Sequence, residues 1–214
     1  MCLYAAVGPE AWSVTATDIS KVELRAERDT DRPAVRDVLT KAFGGHGEVV
    51  ADLVDALRQS AAWEGLSFLA EEGGDLVGHV MFTRSLLDAP RRLLDVQVLS
   101  PLAVVPTHQR GGLGSRLVRH GLDVLTARAD PLVFLEGPPH YYARFGFERA
   151  SQHHFRSPSL RIPDPAFQAL KLPAYEPWMT GTLVYAEPFW HHDCVGLREP
   201  VQASNAPTRG LALP

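Results

Sequence analysis

The chain has 214 residues, 45% of them hydrophobic and 21% charged, with a formal net charge of −4. That length and make-up fit a globular protein with one sizeable core or two small ones, and the weak negative charge gives no ground for broad nucleic-acid binding. Two cysteines, Cys2 and Cys194, make no disulfide framework. No apolar run approaches membrane length, and residues 1–20 lack the basic start and apolar centre of a secretory signal. The expectation is a cytoplasmic protein in a reducing setting, with no membrane and no nucleic-acid partner.

Residues 1–21 show no clear period and read as a flexible leader. A single domain is predicted over residues 22–198, with a core at 22–150 and a C-terminal part, 151–198, that completes the sheet. VELRAE at 22–27 alternates as a first strand does. Thr30-Asp31-Arg32-Pro33 reads as a capped helix start, followed by an apolar stripe of Val35, Val38, Leu39 and Ala42 and a stop at Gly44-Gly45. A second helix is predicted from about Glu48 to Ser60. Strands follow at 66–71, 76–87 and 92–105. The helix of 112–129 and a strand at 131–136 make a strand–helix–strand unit, so the sheet is expected to be mixed and mostly antiparallel, flanked by helices, an α/β (α+β) fold. A short helix near His140–Arg144, a strand opening at Phe147, a short helix at Ala166–Leu170 and a last strand at Thr182–Ala186 complete the domain. Residues 199–214 read as a flexible tail.

The most informative stretch runs from Leu99 to Leu125. A buried strand with Pro101 inside it, which predicts an edge or a bulge, ends at Pro106. Gln109-Arg110-Gly111-Gly112-Leu113-Gly114-Ser115 then opens a helix whose apolar stripe is Leu113, Leu117, Gly121, Leu122 and Leu125. The first N–H groups of a helix lack internal partners, and its dipole favours negative charge there. Glycines let a phosphate come close to that backbone. Gly-Lys-Ser/Thr and GxGxxG are both absent, which tells against the triphosphate and dinucleotide loops.

The pattern Q-x-x-G-x-G at Gln109, Gly112 and Gly114 resembles the pyrophosphate loop of the GCN5-related N-acetyltransferase (GNAT) family. Tyr142-Ala143-Arg144-Phe145-Gly146-Phe147 resembles that family's late Y-x-x-x-G-F segment, and it lies in the expected order after one helix and one strand. The wording LEGPPHYYARFGF is closest to a broad bacterial branch. The resemblance covers about Val22 to Phe189 and implies a sheet whose central strands splay, 131–136 leaving the strand that precedes the loop. It also implies acetyl-CoA as co-substrate, with no metal. The coenzyme would lie on backbone at Leu102, Ala103 and Val104 and at Gln109, Arg110, Gly111, Gly112, Leu113, Gly114 and Ser115. Arg110 and Arg116 are candidates for its 3′-phosphate.

Acetyl transfer to an amine needs a neutral amine, a donor for the oxyanion and a proton for the leaving thiolate. The resemblance makes Tyr142 the general acid. Glu136, at the end of a strand near the expected reaction centre, is the first choice of base, ahead of Asp95, Glu48, His79 and His140. His191-His192-Asp193-Cys194 and His153-His154 lack usual metal spacing and read as surface turns. Trp63, Trp178 and Trp190 are candidates for lining an acceptor pocket or for ordinary packing. The expected reaction is direct transfer to the primary amine of a small molecule or a peptide. A non-catalytic acyl-CoA-binding or regulatory module is the alternative; an enzyme of charged transfer RNA is disfavoured by the lack of a basic run. An exposed last strand would support a homodimer.

Overall fold

Continuous buried runs, such as residues 132–135, build the central strands in the computed structural model, which describes residues 21–198. The leader and tail therefore lie outside the described residues, Lys21 excepted. The described elements are β1 (Glu23–Ala26), α1 (Arg32–Phe43), α2 (Gly47–Arg58), β2 (Ser67–Glu72), β3 (Asp75–Asp88) and β4 (Leu93–Val104). They continue through α3 (Leu113–Ala127), β5 (Leu132–Glu136), α4 (Pro139–Tyr142), β6 (Glu148–Arg149), β7 (Phe155–Arg156), β8 (Phe167–Lys171), β9 (Gly181–Val184) and α5 (Glu187–His191).

All nine of these strands join one sheet, ordered β1-β2-β3-β4-β5-β8-β6, with β9 bonded to β3 and to β7. Only β4–β5 and β7–β9 are parallel, so the sheet is mixed and mostly antiparallel, as its hairpin spacing predicted. β3 is long enough to serve two partners on one edge, β2 near its start and β9 near its end, while β4 takes the whole of the other edge.

Helices cover both faces. On one, α3 buries the predicted stripe of Leu113, Leu117, Gly121, Leu122 and Leu125. A Cβ at Gly121 would lie 2.1 Å from the Phe82 ring, so this glycine sets how closely α3 approaches β3. The other face carries α1 and α2, where His79 of β3 is fully buried. Its Nε2 lies 2.9 Å from the Ser67 hydroxyl, which donates to Glu27; Glu27 in turn pairs with Arg58 of α2 at 2.7 Å. Burial, and then the Arg58 charge, push the His79 pKa down to about 3, so the imidazole is neutral.

Two local expectations are corrected. Asp31 does not cap α1. Its carboxylate accepts from Arg25 at 2.6 Å and from the Arg28 N–H at 2.7 Å instead, and the Arg25 hydrogen bond holds its pKa low. Residues 166–170 are not helical. A single 3-10 turn at Asp164–Ala166 leads into β8, which pairs with β5 along Leu132–Glu136. β5 meets β4 at only two positions, so its other edge needs a partner that a helix would not supply. Phe167 also stacks on Phe134, with ring centroids 5.7 Å apart.

Candidate active site

The site begins where two neighbouring strands part. β4 and β5 pair at Gln97–Val133 and Val98–Phe134 and nowhere beyond. Past that point β4 runs on to Val104 bonded to β3, while Leu135 and Glu136 of β5 bond to β8. A bulge falls where Pro101 predicted one: Val80 faces Leu102 and Phe82 faces Leu99, so one residue of β3 opposes two of β4. The Ser100–Pro101 peptide is cis. Leu102, Ala103 and Val104 thus carry backbone groups on an edge that β5 has left. Val104 is partly committed, because the Gln109 side-chain amide donates to its carbonyl at 2.9 Å. Gln109 therefore fastens the loop to the end of the strand.

The loop itself turns through left-handed backbone at Arg110 (φ 65°) and Gly112 (φ 88°). Gly112 is the N-cap of α3, and no side chain caps the helix. The N–H groups of Leu113, Gly114 and Ser115 have no acceptor within the helix, the arrangement that suits an anion. Arg116 donates to the Val22 carbonyl at 2.9 Å, tying α3 to the start of β1. Arg110 is exposed on the loop.

Two adjacent tyrosines of α4 divide between the sides of this cleft. The Tyr141 hydroxyl lies 2.7 Å from where a Cβ of Gly114 would be, and it hydrogen-bonds Ser115. Burial raises its pKa, against that bond and the charges of Arg144 and Arg119. The Tyr142 ring instead lies on Gly137 at the end of β5, where a Cβ would come within 2.4 Å of it. Tyr142 is 8% exposed, and burial raises its pKa, so the phenol keeps its proton. The two rings meet edge to face at 4.9 Å.

Glu136 is the last residue of β5 and precedes Gly137, over which the Tyr142 ring lies. Tyr185 donates to its Oε1 at 3.0 Å and the Gly196 N–H to its Oε2 at 3.1 Å. Burial pushes its pKa up to about 7, against those two hydrogen bonds and the charge of Arg161. The other candidate bases lie elsewhere. Asp95 pairs with Arg84 and Glu48 with Arg36 on exposed surface, His140 is exposed, and His79 is sealed in the core. Sequence reasoning missed Tyr141 as a loop contact, although its neighbour was singled out. It also missed Tyr185 and Gly196, which stand 49 and 60 residues from Glu136 with no motif to link them.

Among the described residues no group of His, Cys, Asp and Glu is arranged to hold a metal. Asp193 is held by Arg198 and Arg161, and Cys194 is buried. His153 sits between Glu148 and Lys171. Trp178 stacks under Arg91 at 4.9 Å, Trp63 packs against the core, and Trp190 is exposed, donating to the Tyr185 carbonyl. β9 is bonded on both sides, by β3 and β7, so the free strand edge expected for a homodimer is occupied there.

A strand pair that parts beside an uncapped helix N-terminus defines an acyl-coenzyme A type of site, and comparison with known proteins agrees. Residues 23–150 match the family model for the acetyltransferase (GNAT) domain, and the chain belongs to that family of acyltransferases. It is 40% identical over 120 residues to an uncharacterized N-acetyltransferase of Escherichia coli strain K12, YjhQ. That match is 56% of this chain and 65% of that protein, so the chain spans just under two thirds of this relative's length. A second uncharacterized N-acetyltransferase of the same strain, YhbS, is 32% identical over 133 residues, 62% of this chain and 77% of that protein. The crystal structure of YhbS from Escherichia coli in complex with CoA matches with a TM-score of 0.71 at 30% identity, covering 79% of this chain and 92% of that one. A GNAT family acetyltransferase from Brucella melitensis in complex with acetyl-CoA matches with a TM-score of 0.63 at 29% identity, covering 78% and 97%. The family and the mixed sheet read from the sequence are thereby borne out.

Proposed function

We propose that this chain transfers an acetyl group directly from acetyl-CoA to the primary amine of a small molecule or a peptide. One observation carries the reading: β4 parts from β5 beside the uncapped start of α3, and the end of β5 left by that parting carries Glu136 and, at Gly137, the Tyr142 ring. Similar proteins crystallised with CoA and with acetyl-CoA support the donor. The N–H groups of Leu113, Gly114 and Ser115 would hold the diphosphate, with Gln109, Arg110, Gly111 and Gly112 shaping the turn. The freed edge at Leu102 and Ala103 would take the pantetheine arm and polarise the thioester carbonyl.

Glu136 would accept one proton from the ammonium form of the acceptor and pass it to solvent. The neutral nitrogen then bonds to the thioester carbon, and collapse of the tetrahedral species breaks the carbon–sulfur bond. The thiolate takes the Tyr142 proton, and the second proton lost by the nitrogen restores the phenol. We also propose a cytoplasmic location, where acetyl-CoA would be available as the acyl source.

Thermal unfolding with acetyl-CoA, CoA and NADPH, followed by thiol release across a panel of primary amines, tests the reading. At about 100 times its Kd, a ligand of the folded state alone adds about 2.7 kcal/mol. A shift with both coenzyme A species and none with NADPH is expected, and no shift with either overturns the proposal.

A further inference from the structure

Both oxygens of the Glu136 carboxylate are gripped by chain that lies beyond the family match, which ends at residue 150. We infer that residues 151–198 form part of the catalytic site, with Tyr185 the positioning residue that holds the Glu136 carboxylate in its working orientation. The inference rests on the reading of Glu136 as base.

The geometry is built rather than incidental. Tyr185 follows β9, whose backbone is bonded to β3, yet its hydroxyl reaches the end of β5. It therefore bridges the two halves of the split sheet. The ring is 4% exposed and lies against Phe189 at 5.0 Å. The next residue, Ala186, donates its N–H to Ser85 of β3 at 3.4 Å, which pins the residue at its base. The second grip is equally constrained. Gly196 has φ +61°, and a Cβ there would lie 2.5 Å from the Arg161 backbone carbonyl and 2.7 Å from the Ile162 nitrogen. Only glycine lets this stretch close on residues 161–162 and present its N–H to Glu136.

A carboxylate has about four lone-pair sites, so two accepted hydrogen bonds leave room for a proton from the amine. They also fix the direction in which the free lone pairs point. The titratable and charged groups facing Glu136 are Tyr185, from the β9–α5 connection, and Arg161, from the stretch before β8, whose own partner is Asp193 at 2.8 Å. Tyr185 and Arg161 both favour the charged, proton-accepting form against burial.

The experiment is the pH dependence of thiol release, using the full chain and the amine from the panel that gives the fastest release. It is paired with a titration of the protein labelled with 13C at glutamate carboxyls. In the wild type we expect an acidic limb and one carboxyl resonance with a shared midpoint, both missing from Glu136→Gln. Tyr185→Phe is expected to move limb and resonance upward by roughly half to one pH unit and also to lower the alkaline plateau, because the carboxylate loses the bond that orients it. A Tyr185→Phe midpoint equal to that of the wild type overturns the inference and leaves Glu136 as base. A limb that survives in Glu136→Gln removes the base, and the inference falls with it. Should Tyr185→Phe fail to fold, Arg161→Gln gives the second reading: its resonance must also move upward, and an unmoved one overturns the role of this segment.

Discussion

In the proposed reaction Tyr142 and Glu136 have opposite protonic tasks, and their surroundings suit each. Burial raises the Tyr142 pKa, so the phenol stays a donor throughout the working range. Tyr142→Phe is expected to lower kcat by about 10²-fold or more with little change in KM, since the lost proton matters only as the thiolate leaves. In the wild type no tyrosine-dependent alkaline limb should appear below pH 10. Glu136 has its folded pKa raised from 4.5 to about 7. Between those values the folded protein holds a proton that the unfolded chain has released, so this group lowers stability as pH rises through the window, by roughly 3 kcal/mol in all. His79 acts in the other direction: with its pKa lowered from 6.5 to about 3, it removes stability as pH falls below 6.5. The two oppose each other between about pH 4.5 and 6.5. Glu136→Gln should therefore unmask a steeper loss of stability towards acid, read as the slope of Tm against pH; an unchanged slope rejects the raised pKa.

Among the elements, α3 does two jobs through glycines that a propensity reading would count against a helix. Gly121 admits Phe82, so Gly121→Ala should cost about 1–3 kcal/mol by overpacking, seen as a lower Tm with coenzyme affinity per folded molecule unchanged. Gly114 admits the Tyr141 hydroxyl at the mouth of the loop. Gly114→Ala should weaken CoA binding about tenfold, close to 1.4 kcal/mol, and adding Tyr141→Phe should recover part of it. Calorimetric titration of the two variants and their combination checks this; strictly additive effects would mean that the hydroxyl and the loop are not coupled. The loop was legible from the sequence because strand, turn and helix are consecutive and the period of apolar residues changes at the glycines. β8 was not. Asp164-Pro165 supplies a sound local start for a helix, and the free edge of β5, thirty residues earlier in the chain, overrides it.

Over the whole molecule, the sheet is divided by β4 and β5 into two halves that the C-terminal stretch rejoins. β9 docks on β3, β8 docks on β5, and Tyr185 runs from the first half to the second. A ligand lying in the cleft contacts both halves, so acetyl-CoA and CoA should raise the unfolding temperature of the whole cooperative unit, with coincident far-ultraviolet and near-ultraviolet transitions. A near-ultraviolet change that precedes the far-ultraviolet one would show that the C-terminal stretch unfolds separately.

The sequence by itself determined the family, the mixed sheet, the anion-ready turn before α3 and the two candidates Tyr142 and Glu136. Each of these rests on residues that are neighbours in the chain, where spacing maps directly onto geometry. The tertiary structure decided that Tyr141 faces the loop while Tyr142 faces β5, that Arg116 donates to the Val22 carbonyl, and that the Glu136 carboxylate is held from Tyr185 and Gly196. Those outcomes depend on which faces and edges meet in the folded chain, for Arg116 and Glu136 across more than forty residues of sequence. Burial alone, which no local pattern encodes, is the leading cause that brings one carboxyl near neutrality while Glu48 and Asp95 stay on the surface.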